Sequence, residues 1–331
     1  MSTSGRGPST LSVAVALGTV YIVWGSTYLA IAYVVDTLPP LISAGARFLA
    51  AGGLLVAFVA AQHAWRKSRG TADRLPFPRL VEWRTALIVG ALLLLGGNGL
   101  VSLAEQRIPS SIAAVMIATV PIWMSLFEAL LTRTVPSLLA IGGIAVGLVG
   151  AVILLLPAEG VGALDPLGVA MVAGSAMAWA CGSLYARRGP LPRNALLGTG
   201  MEQIAGGVVL FLVGAAIGEP GRLVVEDVSS ASLLGLAYLV VFGSLAAFTA
   251  YTWLLNHVPV TTVSTYAYVN PVVAVALGVL FRNEPLTPRT VIAAVLIIGA
   301  VVAMVSGRPR DAEDAGPAPE LAAMDRDDAA A

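Results

Sequence analysis

PSTLSVAVALGTVYIVWGSTYLAIAYVV, residues 8–35, runs for 28 residues without an Asp, Glu, Lys or Arg and is ended by Asp36. A helix needs roughly 20 apolar residues to cross a hydrocarbon core about 30 Å thick at about 1.5 Å per residue. The run is longer than the apolar core of a cleaved secretion signal and only Arg6 precedes it, so it reads as a retained membrane span. The rest of the chain continues in the same way. Of its 331 residues 57% are hydrophobic and 11% charged, with a mean hydropathy of +0.86. An ordinary soluble domain is roughly a quarter charged. So few polar side chains cannot cover a globule of this size in water, and the solvent must be mostly lipid.

Apolar runs bounded by charges, Pro and Gly predict helices over residues 11–35, 40–61, 85–104, 110–131, 137–156, 166–186, 195–217, 232–254, 260–281 and 289–306. Period-2 alternation is absent, which argues against a membrane barrel. The expected fold is an all-α integral membrane protein with ten transmembrane helices. Lys and Arg are retained on the cytoplasmic side of a membrane. With the N-terminus inside, fourteen of the nineteen fall in cytoplasmic segments, four in outer loops, and Arg47 within a span. Both termini are therefore expected in the cytoplasm. Residues 1–10 form a short cytoplasmic lead, and residues 308–331, rich in Asp, Glu, Ala and Pro, read as a disordered acidic tail.

The two halves echo each other. Gly25-Ser26-Thr27-Tyr28 returns as Gly182-Ser183-Leu184-Tyr185, and Gly52-Gly53 as Gly206-Gly207. Pro109 and Pro121 return as Pro259 and Pro271, and Gly150-Ala151-Val152 as Gly299-Ala300-Val301. Four matches in one order at a nearly constant offset define repeats over 11–157 and 158–307. Five spans are an odd number, so the second repeat enters the membrane from the opposite side. Inverted repeats of this kind supply two exchangeable conformations around a midplane site, which is the architecture of secondary transport.

A charge at the centre of a span costs about 2.5 to 3.5 kcal/mol, so each needs a partner, a wet cavity or a route to the surface. Arg47 lies about seven residues into the second span. It could bind a substrate carboxylate or phosphate, snorkel outward, or pair with Glu105. Asn98, Ser102 and Glu105 share one face of the third span at i, i+4, i+7, as an interhelical seam or a cavity lining. Thr199, Glu202 and Gln203 form a polar patch on the seventh. Tyr21, Trp24 and Tyr28 stripe the first, and Thr262, Tyr266 and Asn270 stand at i, i+4, i+8 on the ninth. Aromatic walls with a few polar groups suit a small-molecule pocket. Trp65 and Trp83 suit the membrane interface instead. Glu128, near Arg133 at the end of the fourth span, reads as a solvated or paired interface carboxylate.

Other classes find no support. The charges balance at 19 basic and 19 acidic, and no basic cluster is interleaved with aromatics as a nucleic-acid surface requires. Cys181 is the only cysteine, and neither His63 nor His257 has a ligand neighbour at i+3 or i+4, so no metal site and no cofactor are expected. There is no phosphate-binding Gly-Lys-Ser/Thr loop and no catalytic constellation, so the chain is not expected to be an enzyme.

WGSTY at 24–28, ARFLAAG at 46–52, GNGLVSLAEQ at 97–106, IPSSIAAVMIATVPIW at 108–123, GSLY at 182–185 and TYAYVNPVVAVALG at 265–278 resemble the EamA-type drug/metabolite transporter superfamily, within its bacterial inner-membrane members. The resemblance covers nearly all of residues 11–306. It implies two inverted five-helix repeats, no hydrolysable energy source, and export or exchange of small metabolites such as amino acids and their analogues. It also implies that Trp24, Tyr28, Arg47, Asn98, Glu105, Glu202, Tyr266 and Asn270 face a central cavity, to which the patch on the seventh span adds Gln203. Asn283-Glu284-Pro285 is close to the family's Gly-Glu pattern, whereas the matching Arg133-Thr134-Val135 departs from it. The first span also lacks the carboxylate of the small multidrug-resistance relatives.

The expectation is thus an alternating-access exporter in the bacterial inner membrane. Its partners are a small-molecule metabolite and the bilayer, with no nucleic acid, and it works as a monomer or homodimer. An uncoupled facilitator and a receptor or scaffold without transport are the alternatives.

Overall fold

The structure is a computed structural model that describes residues 9–70, 78–133, 138–156, 164–255, 257, 258, 263 and 265–306. The predicted tail, Thr262, and Thr134 and Val135 lie outside the described residues. Among those described there are helices and no strands. They comprise α1 (Thr10–Val35), α2 (Pro40–Ser68), α3 (Leu80–Ala104), α4 (Ser110–Thr132), α5 (Leu138–Leu155), α6 (Pro166–Ala186) and α7 (Ala195–Ala216). A further rod, α8, joins Ser230–Tyr238, Leu239–Ala246 and Ala247–Leu255, and α9 (Tyr266–Arg282) and α10 (Pro288–Ser306) follow. By length and apolarity α1, α2, α3, α4, α6, α7 and α8 can each cross a membrane, while α5, α9 and α10 hold shorter apolar stretches.

Helix ends depart from the sequence pattern where polar residues make good helices. α2 continues past residue 61 through Gln62-His63-Ala64-Trp65-Arg66-Lys67 until Gly70, at φ +69°, ends the turn. All but His63 and Trp65 are strong helix formers, so the rod outlasts its apolar stretch. α3 starts five residues early because Glu82 reaches back to accept from the Arg79 N–H at 2.6 Å, capping the helix. α4 breaks at Ala118 and Thr119, just before Pro121, which supplies no N–H to the preceding turn.

The helices pack in a matched pattern. α2 lies along α7, and α5 along α10. α1 packs on α8 and α9, as α6 packs on α3 and α4. α3 and α8 each widen into a π-helix in mid-rod, over Ala91–Gly99 and Leu239–Ala246. α4 and α9 both end on a left-handed residue, Arg133 at φ 54° and Asn283 at φ 52°. The buried core between rods includes Leu41, Phe48, Leu94 and Leu210 in one cluster, and Ile108, Ile112, Leu154, Val172 and Ile297 in another.

Membrane helices gain little from the hydrophobic effect when they meet one another, so close backbone approach matters. At Gly52 a β-carbon would come within 2.8 Å of the Gly200 carbonyl oxygen and 2.9 Å of the Ile204 nitrogen, whereas Gly53 points into open space. Gly52→Val should therefore lower the melting temperature of the purified protein, at a cost of roughly 1–3 kcal/mol from overpacking. Gly53→Ala should leave it unchanged or slightly raised. Equal loss in both variants would mean that α2 and α7 do not meet at Gly52.

Candidate functional site

The π-helical segment of α8 organises the centre of the molecule. A π turn offsets carbonyls from their usual donors, and side chains from neighbouring helices supply replacements. Trp24 on α1 donates Nε1–H to the Gly243 carbonyl at 3.2 Å, and Gln203 on α7 donates Nε2–H to the Ser244 carbonyl at 3.3 Å. In α3 the same task falls to Ser175 on α6, whose hydroxyl donates to the Gly97 carbonyl at 2.8 Å.

Arg47 approaches this segment from α2. It is 4% exposed, and its Nε–H donates to Ser244 Oγ at 2.8 Å while its guanidinium lies over the Phe48 ring at 4.6 Å. It forms no ion pair among the described residues. Neither the outward snorkel nor the pair with Glu105 weighed on the sequence is present. Arg47 instead borders a cavity of about 10 Å³, room for one water, lined also by Ser43, Ser102, Val34, Leu236 and Leu239. A β-carbon at Gly243 would stand 3.1 Å from Arg47 Nη2, so a glycine there leaves space for the cation. Gln203, 2% exposed, keeps its Oε1 buried without a hydrogen-bond partner. The centre therefore holds one buried cation without a counter-ion and one buried acceptor without a donor.

An aromatic cluster adjoins it through Gly243. The Trp24 ring packs on Phe248, Tyr251 and Tyr266 with centroids 5.3, 5.0 and 5.2 Å away, and Tyr251 meets Tyr266 at 6.0 Å. Tyr21 bonds through its hydroxyl to the Thr265 hydroxyl. With its amide nitrogen turned to the backbone, Asn270 donates to the carbonyls of Tyr266 at 3.2 Å and Tyr21 at 3.1 Å, which makes it a brace between α9 and α1.

The residues predicted from sequence thus fall in separate places. Arg47 and Gln203 meet at α8, and Trp24 and Tyr266 share the aromatic cluster beside them. Glu202 lies within electrostatic range of Tyr251. Asn98 and Ser102 are tied within α3, by Asn98 Nδ2 to the Leu93 carbonyl at 3.4 Å and Ser102 Oγ to the Asn98 carbonyl at 2.9 Å. Tyr28 and Glu105 lie apart, toward the end of the molecule where Glu284 and Arg282 stand. Glu128 forms an ion pair with Arg187, the residue that follows α6, at 3.6 Å.

The sequence pattern overlooked Ser244, Phe248 and Tyr251. A signal for them existed: they repeat on α8 the i, i+4, i+7 spacing of Asn98, Ser102 and Glu105 on α3. It also overlooked the ties at one end of the bundle. Glu219 Oε1 and Oε2 accept from the N–H groups of Leu41 at 3.1 Å and Ile42 at 2.8 Å, at the start of α2. Glu284 accepts from Ser110 N–H at 2.9 Å, Ser110 Oγ–H at 2.7 Å and Ser111 N–H at 2.9 Å, at the start of α4. Arg282 holds Asp36 through two bonds of 2.6 and 3.1 Å. Arg107 donates to Asp165 at 2.8 Å, and that bond holds the Asp165 carboxyl below the usual aspartate range.

The profile of the EamA-like transporter family matches residues 11–156 and again 166–306. The chain belongs to this family. It is 40% identical over 294 residues to the inner membrane transporter YedA of Escherichia coli, covering 88% of this chain and 90% of that protein. It is 27% identical over 284 residues to protein PecM of Dickeya dadantii, covering 85% and 88%. One solved structure, described only as a crystal structure of a protein, superposes with a TM-score of 0.57 at 21% identity, covering 89% of this chain and 96% of that one. The last is a likeness of fold. As an EamA transporter of the drug/metabolite superfamily, the chain is a multi-pass inner-membrane protein.

The Arg47–Ser244 bond generates a test within this family context. Hydrogen bonds to charged groups are worth roughly 1.5–3 kcal/mol. Ser244→Ala should lower the melting temperature of the purified transporter, and Ser244→Thr, which keeps a hydroxyl, should restore most of the loss. A Thr variant as unstable as the Ala variant would assign the loss to packing.

Proposed function

We propose that the protein is a secondary transporter that exports a small zwitterionic metabolite, such as an amino acid or an analogue, by alternating access. The observation that carries this reading is Arg47: a buried guanidinium without a counter-ion among the described residues, bonded to the same Ser244 as Gln203, whose buried amide oxygen has no donor. Burying an unpaired charge is expensive, and the cost is tolerated in membrane proteins where an anionic ligand completes the site. The substrate carboxylate would lie against Arg47 and its ammonium toward Gln203 Oε1 and Glu202. Trp24, Tyr251 and Tyr266 would pack its side chain.

The same reading takes the chain as ten spans in two inverted repeats, 11–157 and 158–307, with both ends cytoplasmic. The doubled family match supports it. So do the paired packing of α2 with α7 and α5 with α10, the π-helical segments in both α3 and α8, and the left-handed ends of α4 and α9. On this topology the carboxylate ties of Glu219 and Glu284 and the Arg282–Asp36 bridge all lie on the outer side, which is closed. At the cytoplasmic end the Arg187–Glu128 pair is long, its side chains 64% and 32% exposed, beside a cavity of about 110 Å³ lined by Glu128, Leu184, Arg187 and Arg188. The conformation would be one that loads from the cytoplasm.

The test is efflux. Cells expressing the transporter should release amino acids to the medium faster than cells without it, read by mass spectrometry. Arg47→Ala, at equal membrane abundance, should cut that release by about tenfold or more, the equivalent of one lost charge-assisted contact. Arg47→Lys keeps the charge without the fork and should recover only part of it. Unchanged release from Arg47→Ala would sink the role given to this residue.

A further inference from the structure

Glu105 ends α3, and both of its carboxylate oxygens are buried with no hydrogen-bond partner. This is unlike four other carboxylates at the same end. Glu219 and Glu284 cap helices, Asp36 holds Arg282, and Asp165 holds Arg107. None of the ionisable groups around Glu105 makes a hydrogen bond to it. On α1 there is Tyr28, which makes no hydrogen bond to it, and beyond the end of that helix Asp36, already paired. At the end of α9 there are Glu284, a like charge, and Arg282, whose two donors go to Asp36. α2 carries Arg47, bonded to Ser244, and the start of α6 carries Asp165, bonded to Arg107. An ionised carboxylate in that setting would be desolvated and repelled by Glu284, against which stands only the field of Arg282, already bonded to Asp36, whereas the protonated acid is neutral and costs far less to bury.

We propose that Glu105 is the proton-carrying residue of this transporter, holding a proton while the Glu284 tie to α4 is closed and releasing it to outside water when that tie opens. The step is a plain ionisation. The O–H bond of the Glu105 carboxyl breaks, the proton passes to water, and the carboxylate that remains is solvated through the opening. The two carboxyls have opposite surroundings: Glu284 accepts three bonds at the start of α4 through both oxygens, and Glu105 accepts none. Ser110 and Ser111 begin α4 only five and six residues after Glu105, so loss of the tie frees the segment that covers the acid. The proposal rests on the transporter reading, and it names the group that would couple a proton to the outer opening.

The test is the infrared carbonyl band of a protonated carboxylic acid in the full-length protein, reconstituted in lipid at neutral pH. The wild type should show the band and Glu105→Gln should lack it. Glu284→Gln, whose amide oxygen can still accept from Ser110 and Ser111, should keep it. Glu284→Ala, which cannot, should lose it at neutral pH and regain it on acidification. Should Glu105→Gln fail to fold, Glu105→Asp serves in its place, with a displaced band as the expected result. A band that persists in Glu105→Gln overturns the assignment, and one that persists in Glu284→Ala overturns the link to the tie. Either failure leaves the efflux result for Arg47 standing. Release unchanged in Arg47→Ala, with the Glu105 band behaving as expected, would sink the Arg47 transport reading alone.

Discussion

Backbone N–H and C=O groups have no water to turn to inside a bilayer, and the two π-helical segments of this protein are shaped by that requirement. Regular helix satisfies it locally. The two π-helical segments do not, and each is repaired from outside: Ser175 reaches Gly97, and Trp24 and Gln203 reach Gly243 and Ser244. Those repairs draw α1, α6 and α7 onto α3 and α8. The polar centre is thus a by-product of widening α8, since the segment that needs donors for its carbonyls also presents the Ser244 hydroxyl that holds Arg47.

Helix starts raise the same problem at one end of the molecule. The first N–H groups of any helix lack intrahelical acceptors. For α6 the solution is local, with Asp165 capping its own helix. For α2 and α4 the acceptor comes from 178 and 174 residues away, as Glu219 and Glu284. A carboxylate at a helix N-terminus is also favoured by the helix dipole. Closing this end therefore satisfies four backbone donors by contacts between the halves, and opening it must leave them to water.

This explains what could be seen in the sequence and what could not. The rods were legible because apolar runs of helical length have few other uses, and Arg47, Trp24 and Tyr266 stood out as costly or bulky residues within them. Phe248 and Tyr251 did not stand out, because LVVFGSLAAFTAYTWLL reads as one lipid-facing stretch. Only comparison with the polar face of α3 would have separated its inward side. Asn270 looked like a cavity residue, yet its amide is spent on two backbone carbonyls, a use that spacing along one helix cannot reveal. Glu219 and Glu284 sit in connections where a carboxylate normally meets water, and their bonds go to helices far away in the chain.

Distance along α2 connects the end ties to the centre. Leu41 and Ile42 are held by Glu219, and Arg47 follows Ile42 by five residues, about 7.5 Å along the axis at about 1.5 Å per residue. A rigid helix cannot shed its cap and tilt without carrying Arg47 with it. The Arg47–Ser244 bond and the Glu219 cap are then two fixed points on one helix, α2, which packs on α8. A substrate anion on Arg47 would compete for the cation's remaining donors and alter its hold on α8. Occupancy at the centre and closure at the end would then be linked through a single helix, and no separate relay between them is required.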